Sequence, residues 1–115
     1  MVYWLSRIIY AESGNQPLDG KIAVGNVVLN RVASPRFPNS VYEVIFQRNQ
    51  FTPAANGSIN RTPSAESVVA AKLCLDGANT AGSALYFVNP TVAPGSWASR
   101  NRPYVATIGA HAFYG

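Results

Sequence analysis

"GKIAVGNVVLNRV", residues 20–32, decides the fold. Ile22, Val24, Val27, Val28, Leu29 and Val32 make this stretch apolar nearly all round. Its β-branched content suits a strand, but strands are short, and length separates the two readings. The apolar pattern runs over residues 17–33, from Pro17 to the double-proline turn "SPRFPN" at 34–39, which is helix length. Pro17 is expected as its first helical residue, where the missing N–H costs nothing. A helix apolar on every side belongs at the centre of a core, so the rest of the chain should wrap around it.

Working upstream, residues 3–13 read as a second helix, with Leu5, Ile8, Ile9 and Glu12 at helical spacing on one face. "SGNQP" at 13–17 stops it. Downstream, residues 40–47 read as a short helix opened by a capping box of Ser40 and Glu43. Residues 49–63, "NQFTPAANGSINRTP", read as a long loop or irregular hairpin, a length that is often functional in a compact domain. Ser64 to Asp76 reads as a helix stopped by Gly77. The last third changes character. "ALYFVNP" at 84–90 reads as a strand, and "YVATI", Gly109 and "HAFYG" read as a closing hairpin. Helices first and a small antiparallel sheet last predict an α+β fold in one domain, residues 1–115.

Hydrophobic residues form 48% of the chain, which marks it as globular. No apolar run is long enough to span a membrane. The Met1 segment is amphipathic and lacks a signal-peptide cleavage site, so the chain is expected to be an excised domain whose export signal lies elsewhere. The single cysteine, Cys74, excludes an internal disulfide and a thiolate zinc cluster. The net charge of +4 favours anionic partners, yet the basic residues are scattered, and no nucleic-acid motif appears.

The chain has five acids: Glu12, Asp19, Glu43, Glu66 and Asp76. Asp19 and Glu66 fall in first helical turns, where negative charge suits the helix dipole. Glu43 has its capping role. Asp76 sits in a last turn and is expected to be solvated or paired. Glu12 differs. It lies near a helix C-terminus, where the dipole opposes its charge, and among Leu5, Ile8 and Ile9, which desolvate it. Both effects favour the protonated acid, the form a general acid needs. The competing reading is a buried structural glutamate held by Arg7 or Arg31. A thiol-hydrolase pair of Cys74 and His111 is a weaker rival, because Cys74 sits on an apolar helix face. One histidine without ligand-spaced partners predicts no metal. Of the many late aromatics, Trp97 and Tyr104, which flank Arg100 and Arg102, are the ones expected at the surface.

"IIYAES", "GKIAVGNVVLNRV", "SPRFPNSVYEVIFQRNQFTP", "LDG", "GSALYFVNP" and "RPYVATIGAHAFYG" occur in this order over nearly the whole chain. This series of blocks resembles the SleB/CwlJ-type cell-wall hydrolases, the catalytic domain of spore-cortex-lytic enzymes. The resemblance implies a lysozyme-like glycosidase acting on peptidoglycan, without a cofactor, exported to the cell wall or spore cortex. It places the catalytic glutamate at Glu12. It offers Gln50, Phe51, Thr52, Tyr86, Asn89 and His111 as substrate-binding candidates. It leaves room for an inhibitory or anchoring protein partner that no residue identifies. The family commonly has "GEP" where this chain has "NQP", with Gln16 in place of an acid. Glycosidases that use water or a protein nucleophile need two carboxyl groups, whereas a lytic transglycosylase needs only one. The alternatives are a hydrolytic muramidase and a non-catalytic wall-binding module.

Overall fold

The computed structural model describes residues 1–115. Its elements are α1 (Val2–Ser13), α2 (Leu18–Ala33), α3 (Val41–Ile45), α4 (Thr52–Asn56), a 3-10 turn (Ser58–Asn60), α5 (Ala65–Leu75), β1 (Tyr86–Val88), α6 (Trp97–Asn101), β2 (Tyr104–Ile108) and β3 (His111–Tyr114). The sheet is antiparallel, in the order β1-β3-β2. The fold is α+β, with the sheet at the C-terminal end.

The stretch at 20–32 is the central helix. Residues 20–28 of α2 are buried without a break, and α2 packs against α1, α3, α5 and the sheet. Such close approach needs Gly25. A Cβ there would lie 2.6 Å from Cys74 Sγ on α5 and 3.0 Å from Ile9 Cδ1 on α1. The polar residues of α2 bind the chain that leads into the sheet. Asn26 donates to Ala78 O at 2.8 Å and accepts from Thr80 N at 2.9 Å. Asn30 donates to Ala84 O at 2.9 Å, and Arg31 Nε donates to Leu85 O at 2.7 Å. A segment without regular structure thus has its carbonyls satisfied by one helix.

Several expectations change in detail. Pro17 is the N-cap of α2, extended at ψ 162°, and not its first helical residue. The capping box of α3 is half-formed. Ser40 Oγ accepts from Glu43 N at 3.1 Å, but the Glu43 carboxylate accepts from the Ser40 hydroxyl instead of the backbone. The 49–63 loop contains α4 and the 3-10 turn. The strand read at 84–90 is confined to Tyr86–Val88. The helix α6 was not anticipated. It starts at Ser96, whose hydroxyl accepts from Ser99 N.

Across the sheet, Tyr86, Tyr114 and Tyr104 are successive cross-strand partners, as are Phe87 and Phe113. Alternation along the strands puts these sets on opposite faces. Phe113 is fully buried in the core, with Phe87 packed against it. The β2–β3 turn is docked onto the α1–α2 turn. Gln16 Oε1 accepts from Ala110 N at 2.8 Å, and a side chain at Gly109 (φ +57°) would collide with Gln16.

Candidate active site

Glu12 sits on the last turn of α1. The helix ends through two bonds: the Ser13 hydroxyl to Ile9 O at 2.7 Å, and Gly14 N to Tyr10 O at 2.9 Å. Glu12 faces an open cleft of about 450 Å³ lined by Tyr10, Ala11, Gly14 and Asn15 on one side and Ser58 and Arg61 on the other. The two walls are pinned together. Arg7 Nη1 donates to Asn60 O at 2.8 Å and Arg61 O at 3.1 Å, with its guanidinium over the Tyr3 ring. These bonds tie the α1 wall to the wall after the 3-10 turn.

The structure removes the competing reading of Glu12. Arg7 is committed to the 3-10 turn, and Arg31 to Leu85 O and Gln50 Oε1. The one ion pair in the protein joins Lys21 and Glu66, leaving Glu12 without a basic partner. Burial pushes the Glu12 carboxyl above the usual carboxylate range. No other carboxylate lines the cleft. Asp19 and Asp76, which folding could have brought to Glu12, are exposed and lie outside it. Gln16 is outside it too, its oxygen spent on the hairpin.

The remaining candidates fall in four places. Gln50, Phe51 and Thr52 line a second cavity of about 450 Å³ formed by the α3–α4 segment. There the Phe51 ring is buried beside Phe87, while Gln50 and Thr52 are exposed. Tyr86 lies on the far face of the sheet, against Phe37 and Trp97. Asn89 Oδ1 accepts from Thr91 N at 3.0 Å, fixing the turn after β1. His111 is buried edge-on to Phe87, and its Nδ1 has no partner. Burial lowers its pKa from 6.5 and so favours the neutral imidazole.

Sequence reasoning did not find Ser58 and Arg61, because the wall they form is placed by Arg7 from a distant helix. It also missed Arg31 as a buried cation. Arg31 is 5% exposed and surrounded by the rings of Phe37, Phe51 and Tyr86. Burial, partly offset by Tyr86, lowers its pKa to about 10. The thiol-hydrolase pair does not form. Cys74 Sγ is buried under Gly25 and donates to Ile22 O at 3.3 Å, and burial raises its pKa to about 11. No three His, Cys, Asp or Glu side chains group to hold a metal ion.

A small helical domain with a three-stranded sheet at one end and one desolvated carboxyl in an open cleft is the class that fold and site define together. The profile of the cell wall hydrolase family matches residues 15–114. The chain belongs to this family. It is 39% identical over 109 residues to a spore cortex-lytic enzyme of Bacillus cereus and 38% identical to that of Bacillus subtilis, covering 95% of this chain in each case. The chain spans 42% and 35% of the length of these two relatives. It superimposes on the catalytic domain of the germination-specific lytic transglycosylase SleB from Bacillus anthracis with a TM-score of 0.91 at 38% identity, covering 99% of this chain and 93% of that one. It likewise matches the catalytic domain of the Bacillus cereus SleB protein with a TM-score of 0.90, covering 88% of that chain. Glu12 precedes the stretch matched by the family profile, but the structural matches leave out about 1% of the chain and so include α1.

Proposed function

We propose that this chain is a peptidoglycan lytic transglycosylase acting on spore cortex during germination, outside the cytoplasm, and that Glu12 is its catalytic acid and base. The observation that carries this reading is a single carboxyl in the cleft, unpaired and with its protonated form favoured by burial. Glu12 gives its proton to the oxygen that bridges C1 of N-acetylmuramic acid and C4 of N-acetylglucosamine. The C1–O bond breaks through an oxocarbenium-like transition state, and the glucosamine leaves with a new 4-hydroxyl. The muramic C6 hydroxyl then attacks C1, and the Glu12 carboxylate takes the proton from O6. The bond formed closes a 1,6-anhydro ring, water is not consumed, and Glu12 ends protonated. Intramolecular attack has a high effective concentration, so one carboxyl suffices.

Further contacts are proposed for the exposed Gln50 and Thr52, for Tyr86, and for His111. Phe51 and Asn89 contribute through the packing and turn they fix. The positive net charge suits an anionic wall polymer. The relatives named for spore cortex lysis and germination support the choice of cortex.

Mass spectrometry of the products released from purified cortex and from vegetative peptidoglycan tests the reading. Ends in anhydromuramic acid are expected. Ends one water heavier would make the chain a hydrolase. Binding without release would make it a wall-binding module.

A further inference from the structure

The helix α6 exists largely to display one side chain. Its polar ties are local: Ser96 Oγ accepts from Ser99 N at 3.2 Å, Ser99 Oγ donates to Ser96 O at 2.8 Å, and Asn101 Nδ2 donates to Trp97 O at 2.9 Å. Ala98 is the residue it buries. Trp97, one of two tryptophans in the chain, is left 56% exposed. The indole meets the Tyr86 ring at 5.6 Å and 62°, and Tyr86 meets Phe37 at 6.1 Å. Two guanidiniums stand over Tyr86: Arg31 at 5.4 Å, and Arg102 at 5.6 Å, the latter held by its bond to Gly115 O at 2.7 Å. After Asp76 the chain contains no acidic residue. The surface thus combines an exposed indole with the guanidinium of Arg102, Arg31 lying buried beneath Tyr86, and this last third of the chain brings no acidic side chain to it.

We infer that the Tyr86–Trp97–Arg102 face is a second glycan-binding site, apart from the Glu12 cleft, that holds an uncleaved part of the wall strand through a muramyl unit carrying a carboxylate. The C–H face of a sugar ring packs on an aromatic ring, and guanidinium is the group that best matches a carboxylate. A nucleic-acid duplex would meet the same charge, but its stacked bases leave no ring face for an exposed indole. The site lets a short domain hold a long strand while Glu12 cuts it. This inference rests on the glycan-cleaving reading above.

The full chain carrying Glu12→Gln is mixed with insoluble cell-wall sacculi, native or with carboxyls converted to amides, and the bound fraction is measured by sedimentation. Adding Trp97→Ala is expected to weaken binding to native wall at least fivefold. Trp97→Phe, which keeps an aromatic face, should recover most of it. Val69→Ala, an exposed apolar change on α5, should bind as the parent does. Amidation should weaken the parent as well. In the chain with Glu12 intact, the loss from Trp97→Ala should fall on KM for long strands. Parental binding by Trp97→Ala, equal binding to native and amidated wall, or no sedimentation with wall would overturn the inference. Continued release of fragments by the Glu12→Gln chain would instead strike the catalytic assignment, because sedimentation and release are read separately. Trp97 is largely exposed, so thermal melting of the variants is expected to match the parent.

Discussion

The end of α1 and the beginning of α2 treat a desolvated charge in opposite ways. On α2, Lys21 has a side chain 4% exposed, and its ammonium donates to Gln16 O and lies 2.7 Å from Glu66 Oε1. On α1, the Glu12 carboxyl is desolvated and has no counter-charge. A protein that stabilises only its fold would pair both groups, because an isolated buried charge is expensive. Lys21 is satisfied and ties α2 to α5. Glu12 is left in a state that costs stability and suits proton donation. Pairing separates the structural charge from the working one.

The largest expected break in this contrast comes from Glu12→Gln. It keeps the shape and removes the transferable proton. Turnover of peptidoglycan should fall by about 10²–10⁴-fold, the usual worth of a positioned general acid. The same variant should melt higher at neutral pH. The folded Glu12 binds its proton more tightly than the unfolded residue does, so ionisation favours unfolding, and the amide removes that penalty. The gain should vanish below pH 4.5, where Glu12 is protonated in both states. A loss of activity accompanied by a lower melting temperature would instead mean that Glu12 holds the fold. In the parent, the basic limb of kcat/KM should lie above the ordinary carboxylate range.

Glu66→Gln tests the other side. It leaves the buried Lys21 ammonium with a neutral partner. Glu66 is 54% exposed, so solvent screens the pair, and the cost is about 1–2 kcal/mol, below that of a fully buried pair. Chemical denaturation should show this loss, with the ratio of anhydro to reducing ends unchanged.

His111 sharpens the contrast, since it is a second desolvated group without a partner but of opposite sign. Its folded pKa lies below 6.5, so as pH falls through 6.5 the unfolded chain takes up its proton first and stability falls, until the folded pKa is passed. Glu12 acts the other way. As pH falls through its raised pKa towards 4.5, stability rises. The Glu12 slope begins at pH 4.5 and extends upwards, the His111 slope begins at 6.5 and extends downwards, and the two have opposite signs. Melting temperature against pH should therefore fall more steeply towards acid in Glu12→Gln than in the parent. In His111→Gln it should rise towards acid. Parallel curves for parent and both variants would show that neither group is perturbed by its burial.

What could be read from the sequence was what neighbours along the chain determine. The apolar run of α2, the position of Glu12 on the apolar stripe of α1 and the hairpin around Gly109 are local patterns, and the structure contains all three. The helix α4 has Pro53 in its first turn and Gly57 at its end, but with Phe51 as N-cap, no side-chain cap bond and only five residues, those two signals read equally well as loop residues. The helix α6 had a serine cap, but it is too short for an apolar period to register. The far wall of the cleft was illegible for another reason. Ser58 and Arg61 reach Glu12 through the bonds of Arg7 to Asn60 O and Arg61 O, and no spacing in the sequence records that tie. The role of Lys21 was hidden in the same way, inside a stretch that reads as apolar.

The smallest expected effect is at Gln16, where the resemblance to the cell-wall hydrolases implies an acid. Its oxygen is the acceptor that holds the β2–β3 turn, through Ala110 N at 2.8 Å. Gln16→Ala removes that acceptor and should cost about 1 kcal/mol. Gln16→Glu supplies an acceptor in the same place, so stability should stay within about 0.5 kcal/mol of the parent. Gln16 is absent from the lining of the Glu12 cleft, so a carboxylate there is remote from the bond being cut. The products should still end in anhydromuramic acid at close to the parental rate. A shift to reducing ends in Gln16→Glu would mean that the new carboxylate reaches the cleft and activates water. The contrast would then fail at its centre, because Glu12 would be one half of a carboxyl pair whose other half this chain replaces with an amide.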